Sequence, residues 1–438
     1  MINNLKLEKP VNFIYSFLII LLMIFGRNFT GLYLFNFRIG ELIIGFLLLS
    51  STLLFIKYFF RLKDLRKKES YLHALFFIIL ISFIVSLFVN NGSVFSLYTY
   101  KASSYIWTLS AIFFVLVIDV KKYLINKNVL LVLPIMYFLN AIYFPNFLFE
   151  FFNTYSDKFD FQKASDIFIV FVISNLICME VYKEKFLPII YLFISFSILN
   201  PLFLFMSKGS FFPSILFFLL SLVFYKDQIK KNYRKVLITF LVSFLMFVIS
   251  TYEVYGNLQF DKDGPSAGEE NLISFNTFQD NYKSISENKN TTDIFASIYI
   301  LNKRIYSTEN LLNWRLQIWQ DVFYDQIEDK NFLLGYGYNE IIPAMDNPDR
   351  KGVDGSNEHV HNYFVNVFAR GGFLQFSLFL FFYIYLLKKD NFLLSKVLFF
   401  IPILLVSSFD PSMETVRFPI IFFTYMTLFF IKKDSTYI

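Results

Sequence analysis

Cysteine, histidine and charge are what this 438-residue chain has least of: one Cys, three His, and 17% Asp, Glu, Lys and Arg. Cys178 is alone, so no internal disulfide can form, and cysteine usage says nothing about compartment. A zinc site takes three or four ligands. Here only His359 and His361 lie close together, with Asp354 and Glu358 as the nearest acids, so no metal is expected. The chain also lacks the alternating segments of about ten residues that build a membrane barrel. It has no internal repeat, and no low-complexity tract beyond a Phe/Ile/Lys/Asn bias. No small-residue cleavage site follows the first apolar run, so that run reads as a retained helix rather than a signal peptide.

What is present is apolar length. Hydrophobic residues make up 56% of the chain and aromatics 21%, and mean hydropathy is +0.52. A spanning helix takes about 20 apolar residues. Only helices or closed barrels satisfy every backbone group in lipid, so the class is an all-α, polytopic membrane protein. Hydropathy places about twelve spans, near 11–25, 41–60, 71–89, 104–119, 129–149, 165–182, 186–206, 210–225, 236–254, 361–387, 392–408 and 416–431. Lys and Arg cluster in alternate connections, 21 against 7 in the intervening ones. By the positive-inside rule both termini are then cytoplasmic. Three parts follow: helices 1–9 in 1–256, a large outer loop in 257–360, and helices 10–12 in 361–438.

The outer loop carries 17 acidic and 9 basic residues over 255–360. Its first part, 257–292, reads as irregular. Residues 294–304 read as a helix. Residues 311–327 read as an amphipathic helix with Leu312, Leu316, Trp319, Phe323 and Ile327 as its apolar stripe. From Gly335 to Glu358 the Gly, Pro, Asn and Asp punctuation reads as loop.

Chemistry-bearing residues gather at the outer ends of the spans. His361-Asn362 opens the tenth span, and a neutral imidazole there is suited to take a proton from a hydroxyl. Asn362 is placed to orient it or to hold a sugar, and His359 competes for the same role. Arg315 and Trp319, four apart, share a helix face, and a guanidinium fork suits phosphate. Lys208-Gly209 forms the tightest outer connection, with Gly209 leaving room for a ligand at the backbone. Arg27, Arg38, Arg370 and Arg417 add cations that suit a diphosphate. Each of these residues has a plain alternative reading as an interfacial or snorkelling side chain.

In order along the chain, Ser207-Lys208-Gly209, Arg315 with Trp319, Gly335-x-Gly337, and His361-Asn362 followed by Gly371-Gly372 resemble the O-antigen ligase and polymerase family of envelope glycosyltransferases. The helical topology with one late outer loop is similar too. That resemblance implies transfer of a glycan from undecaprenyl diphosphate to an acceptor sugar hydroxyl at the outer face of the bacterial inner membrane, with no cofactor and no nucleic acid. The acceptor is lipid A–core for a ligase and another lipid-linked glycan for a polymerase. His361 takes the catalytic role, Arg315 and Lys208 hold the diphosphate, and Asn362, Trp319, His359, Gly335 and Gly337 support them. The family commonly has Arg where this chain has Lys208. A transporter is the rival reading; it would place charges deep within spans and pair broken helices between two halves.

Overall fold

The computed structural model describes residues 4–59, 68–93, 96–118, 120–124, 131–158, 163–182, 185–257, 298–301, 303–307, 310–350, 357–388 and 394–431. Its apolar runs are helices. They are α1 (Asn4–Gly31), α2 (Ile39–Phe59), α3 (Lys68–Val89), α4 (Ser104–Leu116), α5 (Leu133–Ile142), α6 (Asn146–Tyr155), α7 (Ala164–Val181), α8 (Leu187–Met206), α9 (Lys208–Phe224) and α10 (Tyr233–Asn257). Among the described residues of the polar segment, the long helix is α11 (Asn310–Glu328). Then come α12 (Tyr363–Lys388), α13 (Leu394–Ser407) and α14 (Arg417–Ile431).

Of the twelve crossings expected from hydropathy, six have spanning length and composition among the described residues: stretches of α1, α3, α7, α8, α10 and α12. Helices α5 and α6 bend by 85° at the break between them. Pro145 caps α6 there, and its ring disfavours helix in the residue before it. The remaining apolar helices, including the Ile39–Leu53 part of α2, are shorter. Helix α7 lies at the centre of the bundle, buried at every position from 164 to 178. Helix α10 lies at the rim and packs on α8. Its outer face exposes Leu237, Leu241, Phe244 and Val248, an apolar stripe suited to lipid.

Two short hairpins complete the described fold. Strands β1 (Tyr33–Leu34) and β2 (Phe37–Arg38) join α1 to α2. In the polar segment β3 (Ile298–Leu301) pairs antiparallel with β4 (Arg304–Ser307). This corrects the helix expected over 294–304. The run Ile298, Tyr299, Ile300 is β-branched and aromatic, and Lys303 takes a left-handed φ of 65° that turns the chain. Tyr299 and Tyr306 then stack across the strands at 5.7 Å. The front of the polar segment, 258–297, lies outside the described residues.

Helix α12 is broken at Gly372, whose φ of 65° and ψ of −170° leave the helical region. The break frees backbone groups, and a loop after α11 satisfies them. Tyr336 and Gly337 donate their N–H groups to the carbonyls of Ala369 and Arg370 at 2.8 and 2.9 Å. Phe373 and Leu374 donate theirs to Phe332 and Leu333 at 2.8 and 3.2 Å. The fully buried Gln326 of α11 donates to the carbonyls of Phe368 and Ala369, both at 2.9 Å. Irregular backbone at membrane depth is tolerated only when protein satisfies it in this way. The exchange docks α11 and its following loop onto the N-terminal part of α12, around its break.

Candidate functional site

A small apolar core, separate from that of the bundle, holds the site together. It comprises Ile318 and Val322 of α11, Ile342, Ala344 and Met345 of the following loop, Val360, and Ala369 of α12. The buried row of α11 is therefore Ile318, Val322 and Gln326, with Trp314 and Trp319 half-buried against the same core. It is not the expected stripe, in which Phe323 and Ile327 are about half exposed. Two apolar rows compete on this helix, and the loop packs against the one with β-branched residues.

Because Val360 is fully buried, the segment around it is fixed. The Trp319 indole N–H donates to the Val360 carbonyl at 2.8 Å, tying α11 to the His-Val-His run. Trp314 packs against the His361 ring, with centroids 5.3 Å apart. His361 holds a φ of 53°. A positive φ is uncommon for a residue with a side chain, although His adopts it more readily than most, and backbone of this kind concentrates at functional sites.

The hydrogen bonds around Asn357 determine the His361 tautomer. The His359 backbone N–H donates to Asn357 Oδ1 at 3.2 Å, and Asn357 Nδ2 donates to the His359 carbonyl at 3.0 Å. Both bonds fix the amide with its oxygen toward His361, whose Nε2 lies 3.1 Å away. Nε2 must then carry the proton, which leaves Nδ1 with the lone pair. Burial, then the nearby Arg315 guanidinium, push the His361 pKa from 6.5 down to about 3. The ring is neutral at physiological pH, as a base must be.

The structure joins the Arg315–Trp319 helix to the His361 segment; the other two motifs are placed as follows. Ser207 caps α9, so Lys208 is exposed in its first turn. A Cβ on Gly209 would come within 2.9 Å of Phe409 Cβ, and Phe409 leans on Trp319 with ring centroids 6.5 Å apart. The space beside Gly209 thus belongs to Phe409, not to a ligand as expected. Gly335 and Gly337, with φ of 70° and 79°, dock the loop on α12, where Gly337 bonds to Arg370. Asn362 Oδ1 accepts the N–H groups of Phe364 and Val365 at 3.0 and 3.2 Å. Asn362 is therefore an N-cap for α12, and Asn357 rather than Asn362 orients the imidazole.

Arg417, Arg38 and Arg370 are held by partners in the protein. The Arg417 Nε–H is shared between both carboxylate oxygens of buried Asp166 at 2.8 and 2.7 Å. Arg38 pairs with Asp157 and Glu41. Arg370 donates to the carbonyls of Gly337 and Glu340 at 3.3 and 2.7 Å and to the Tyr98 hydroxyl at 2.9 Å.

Sequence reasoning missed the turn between α13 and α14. Glu414 Oε2 lies 3.6 Å from His359 Nδ1. Asp410 is close enough to act electrostatically on His361. Each carboxylate has one enclosed oxygen with no donor in reach among the described residues. Nothing in the local sequence, Asp410-Pro-Ser-Met-Glu414, signals this; only the fold carries these residues to the histidines.

This arrangement is that of a multi-pass membrane protein with its polar groups gathered at one end of the bundle. Residues 190–380 match the family model described as O-antigen ligase, so the chain resembles that family across α8 to α12. The match includes Lys208, Arg315, Trp319, Gly335, Gly337 and His361. It supports a ligase- or polymerase-type function on lipid-linked glycans. No curated protein and no solved structure matches the chain.

Proposed function

We propose that this protein is an inverting glycosyltransferase of the O-antigen ligase type, moving a glycan from undecaprenyl diphosphate to a sugar hydroxyl of lipid A–core. The observation that carries the reading is the Trp319–Val360 hydrogen bond, which holds the helix bearing Arg315 against the segment bearing His361. The protein then crosses the inner membrane twelve times, with both termini cytoplasmic and the site at the outer face.

The chemistry follows from the tautomer. His361 Nδ1 takes the proton of the acceptor hydroxyl while the hydroxyl oxygen forms a bond to the anomeric carbon. The bond from that carbon to the diphosphate oxygen breaks, and the electron pair leaves on undecaprenyl diphosphate. Arg315 and Lys208 stabilise the charge that develops there, as preorganised cations do. An anionic donor beside Arg315 also offsets the cation that holds the imidazole pKa down, so donor binding makes His361 a stronger base. Attack opposite the leaving group inverts the anomeric carbon.

The test is transfer in vesicles containing the purified protein and undecaprenyl-diphosphate glycan, with lipid A–core or a second lipid-linked repeat unit as acceptor. Product on lipid A–core supports the ligase. Product only on the lipid-linked unit makes it a polymerase. Movement of the donor across the membrane without transfer makes it a transporter.

A further inference from the structure

The second apolar row of α11 has no part in the site, and it does not stand alone. Phe323, Tyr324 and Ile327 are each about half exposed, and Leu333 of the following loop is 65% exposed. Strand β3 buries none of its four residues, and Ile300 is 75% exposed. Successive strand residues point to opposite faces, so both faces of β3 present apolar side chains. A contiguous apolar surface of this kind marks an interaction site, and a bare apolar strand in water invites pairing with another chain.

The hairpin and the helix form one surface. Gln320 Nε2 donates to the Ile305 carbonyl at 2.8 Å, and its Oε1 accepts the Ile305 N–H at 2.7 Å. The Tyr324 hydroxyl donates to the Lys303 carbonyl at 3.1 Å. From Tyr324 a chain of ring contacts leads to a membrane helix. Phe323 touches Tyr324 with centroids 6.4 Å apart and stacks on Phe368 of α12 at 5.9 Å. Phe332 meets both Phe368 and Phe373, at 5.5 and 5.6 Å. Phe373 and Leu374 are about half exposed on α12, a helix of spanning length and composition. The apolar surface of the polar segment is therefore continuous with the lipid-facing surface of a span.

Depth follows from helix geometry. At a rise of about 1.5 Å per residue, about 30 Å of helix separates Phe368 from the basic end of α12 at Lys388. That is the thickness of the hydrocarbon core. Phe323, Phe332 and Phe368 thus meet at the boundary of acyl chains and headgroups, a level where amphipathic aromatic rings concentrate. At 3.6 residues per turn, Leu316, Phe323 and Ile327 lie across α11 from Asp321 and Asp325. The helix has one side on the protein core, one acidic side and one apolar side, which is why it carries two apolar rows.

We propose that the β3–β4 hairpin and the exposed row of α11 form a membrane-surface anchor, with Ile298, Ile300, Phe323, Tyr324 and Ile327 set into the headgroup–acyl boundary of the leaflet on the His361 side. Lipid is the occupant of this face. A helix lying in the interface with one apolar face among acyl chains binds membranes in this way. The open edges of the hairpin stay at headgroup level, because hydrocarbon does not tolerate them. The anchor holds α11, and with it Arg315 and Trp319, at the depth of lipid headgroups. Anchoring of this kind does not depend on what His361 does.

The experiment uses the full chain in lipid nanodiscs, with Cys178→Ala as background and one nitroxide label at Ile300→Cys, Ile327→Cys or Glu328→Cys. Glu328 is exposed on α11, outside the apolar row. Collision of each label is measured with oxygen, which partitions into acyl chains, and with a water-soluble nickel chelate. Oxygen should prevail over the chelate at Ile300→Cys and Ile327→Cys, and the chelate should prevail at Glu328→Cys. Chelate prevailing at Ile300→Cys or Ile327→Cys places that element in water and overturns the anchor. Low collision rates with both reagents there mean that protein covers the face, a second copy or another part of the chain, and overturn it as well. If either variant fails to fold, Leu301→Cys or Tyr324→Cys decides on the same terms.

Discussion

Gly335 and Gly372 lie back to back: a Cβ on Gly335 would sit 2.5 Å from the Gly372 amide nitrogen, and one on Gly372 would sit 2.4 Å from the Leu333 carbonyl. Both residues have positive φ. A side chain at either position is strained twice, by conformation and by contact with backbone that cannot move aside. Gly335→Ala or Gly372→Ala should each cost about 2 kcal/mol or more. Thermal unfolding in detergent measures this. A midpoint within a degree of wild type for both variants would show that the loop does not depend on this contact.

Trp319→Phe removes one hydrogen bond and little volume. The loss of a partner for the enclosed Val360 carbonyl should cost about 1 kcal/mol in stability. Transfer should fall further, by about 10-fold or more, because the bond sets where His361 sits and small displacements of catalytic groups are costly. Comparing the unfolding midpoint with kcat on the same preparations separates the two effects. Unchanged kcat would mean that α11 does not position the imidazole.

The pKa of His361 gives a stability prediction with a definite sign. Unfolded, the ring titrates near 6.5; folded, it stays neutral to about 3. Between those values the unfolded state binds the extra proton, so stability is complete above pH 6.5 and is lost as pH falls. From pH 7 to 5 this amounts to about 2 kcal/mol. Asn tolerates the left-handed backbone, so His361→Asn should remove this part of the acid sensitivity. Midpoints measured from pH 7 to 5 for both proteins check it, and parallel curves would refute it.

Arg417 and Asp166 form a buried ion pair, side chains 5% and 7% exposed. Removing one partner strands the other charge and should cost about 3–5 kcal/mol. Asp166→Leu with Arg417→Met should be much milder than either Asp166→Ala or Arg417→Ala. Donor affinity of the double variant should equal that of wild type. Weakened binding of undecaprenyl diphosphate by the folded double variant would return Arg417 to the diphosphate site.

How much of this was legible in the chain depends on how local each signal is. Apolar runs of helical length are local, and a helix accompanies each of them. The cap at Asn362 and the glycines at 335, 337, 371 and 372 are visible as residues, but their shared role appears only when the loop meets the broken helix. The apolar face of α11 was misread because periodicity alone does not choose between two apolar rows. The hairpin at 298–307 was misread as helix because a short apolar run is ambiguous. Asn357, Asp410 and Glu414 carry no motif. Asp410 and Glu414 become neighbours of the histidines through contacts spanning about fifty residues, which no local spacing encodes. The outer arginines looked equivalent in sequence, and it takes the fold to show what Arg38, Arg370 and Arg417 bond to.

The most direct test of the central claim is the rate of glycan transfer by purified wild type, His361→Ala, His359→Ala and Arg315→Ala in vesicles loaded with undecaprenyl-diphosphate glycan, with folding verified for each. Transfer should fall by about 100-fold or more for His361→Ala and Arg315→Ala, the scale on which a general base or a charge-stabilising group acts. His359→Ala should keep most of the kcat. Equal rates in all four proteins would contradict the account.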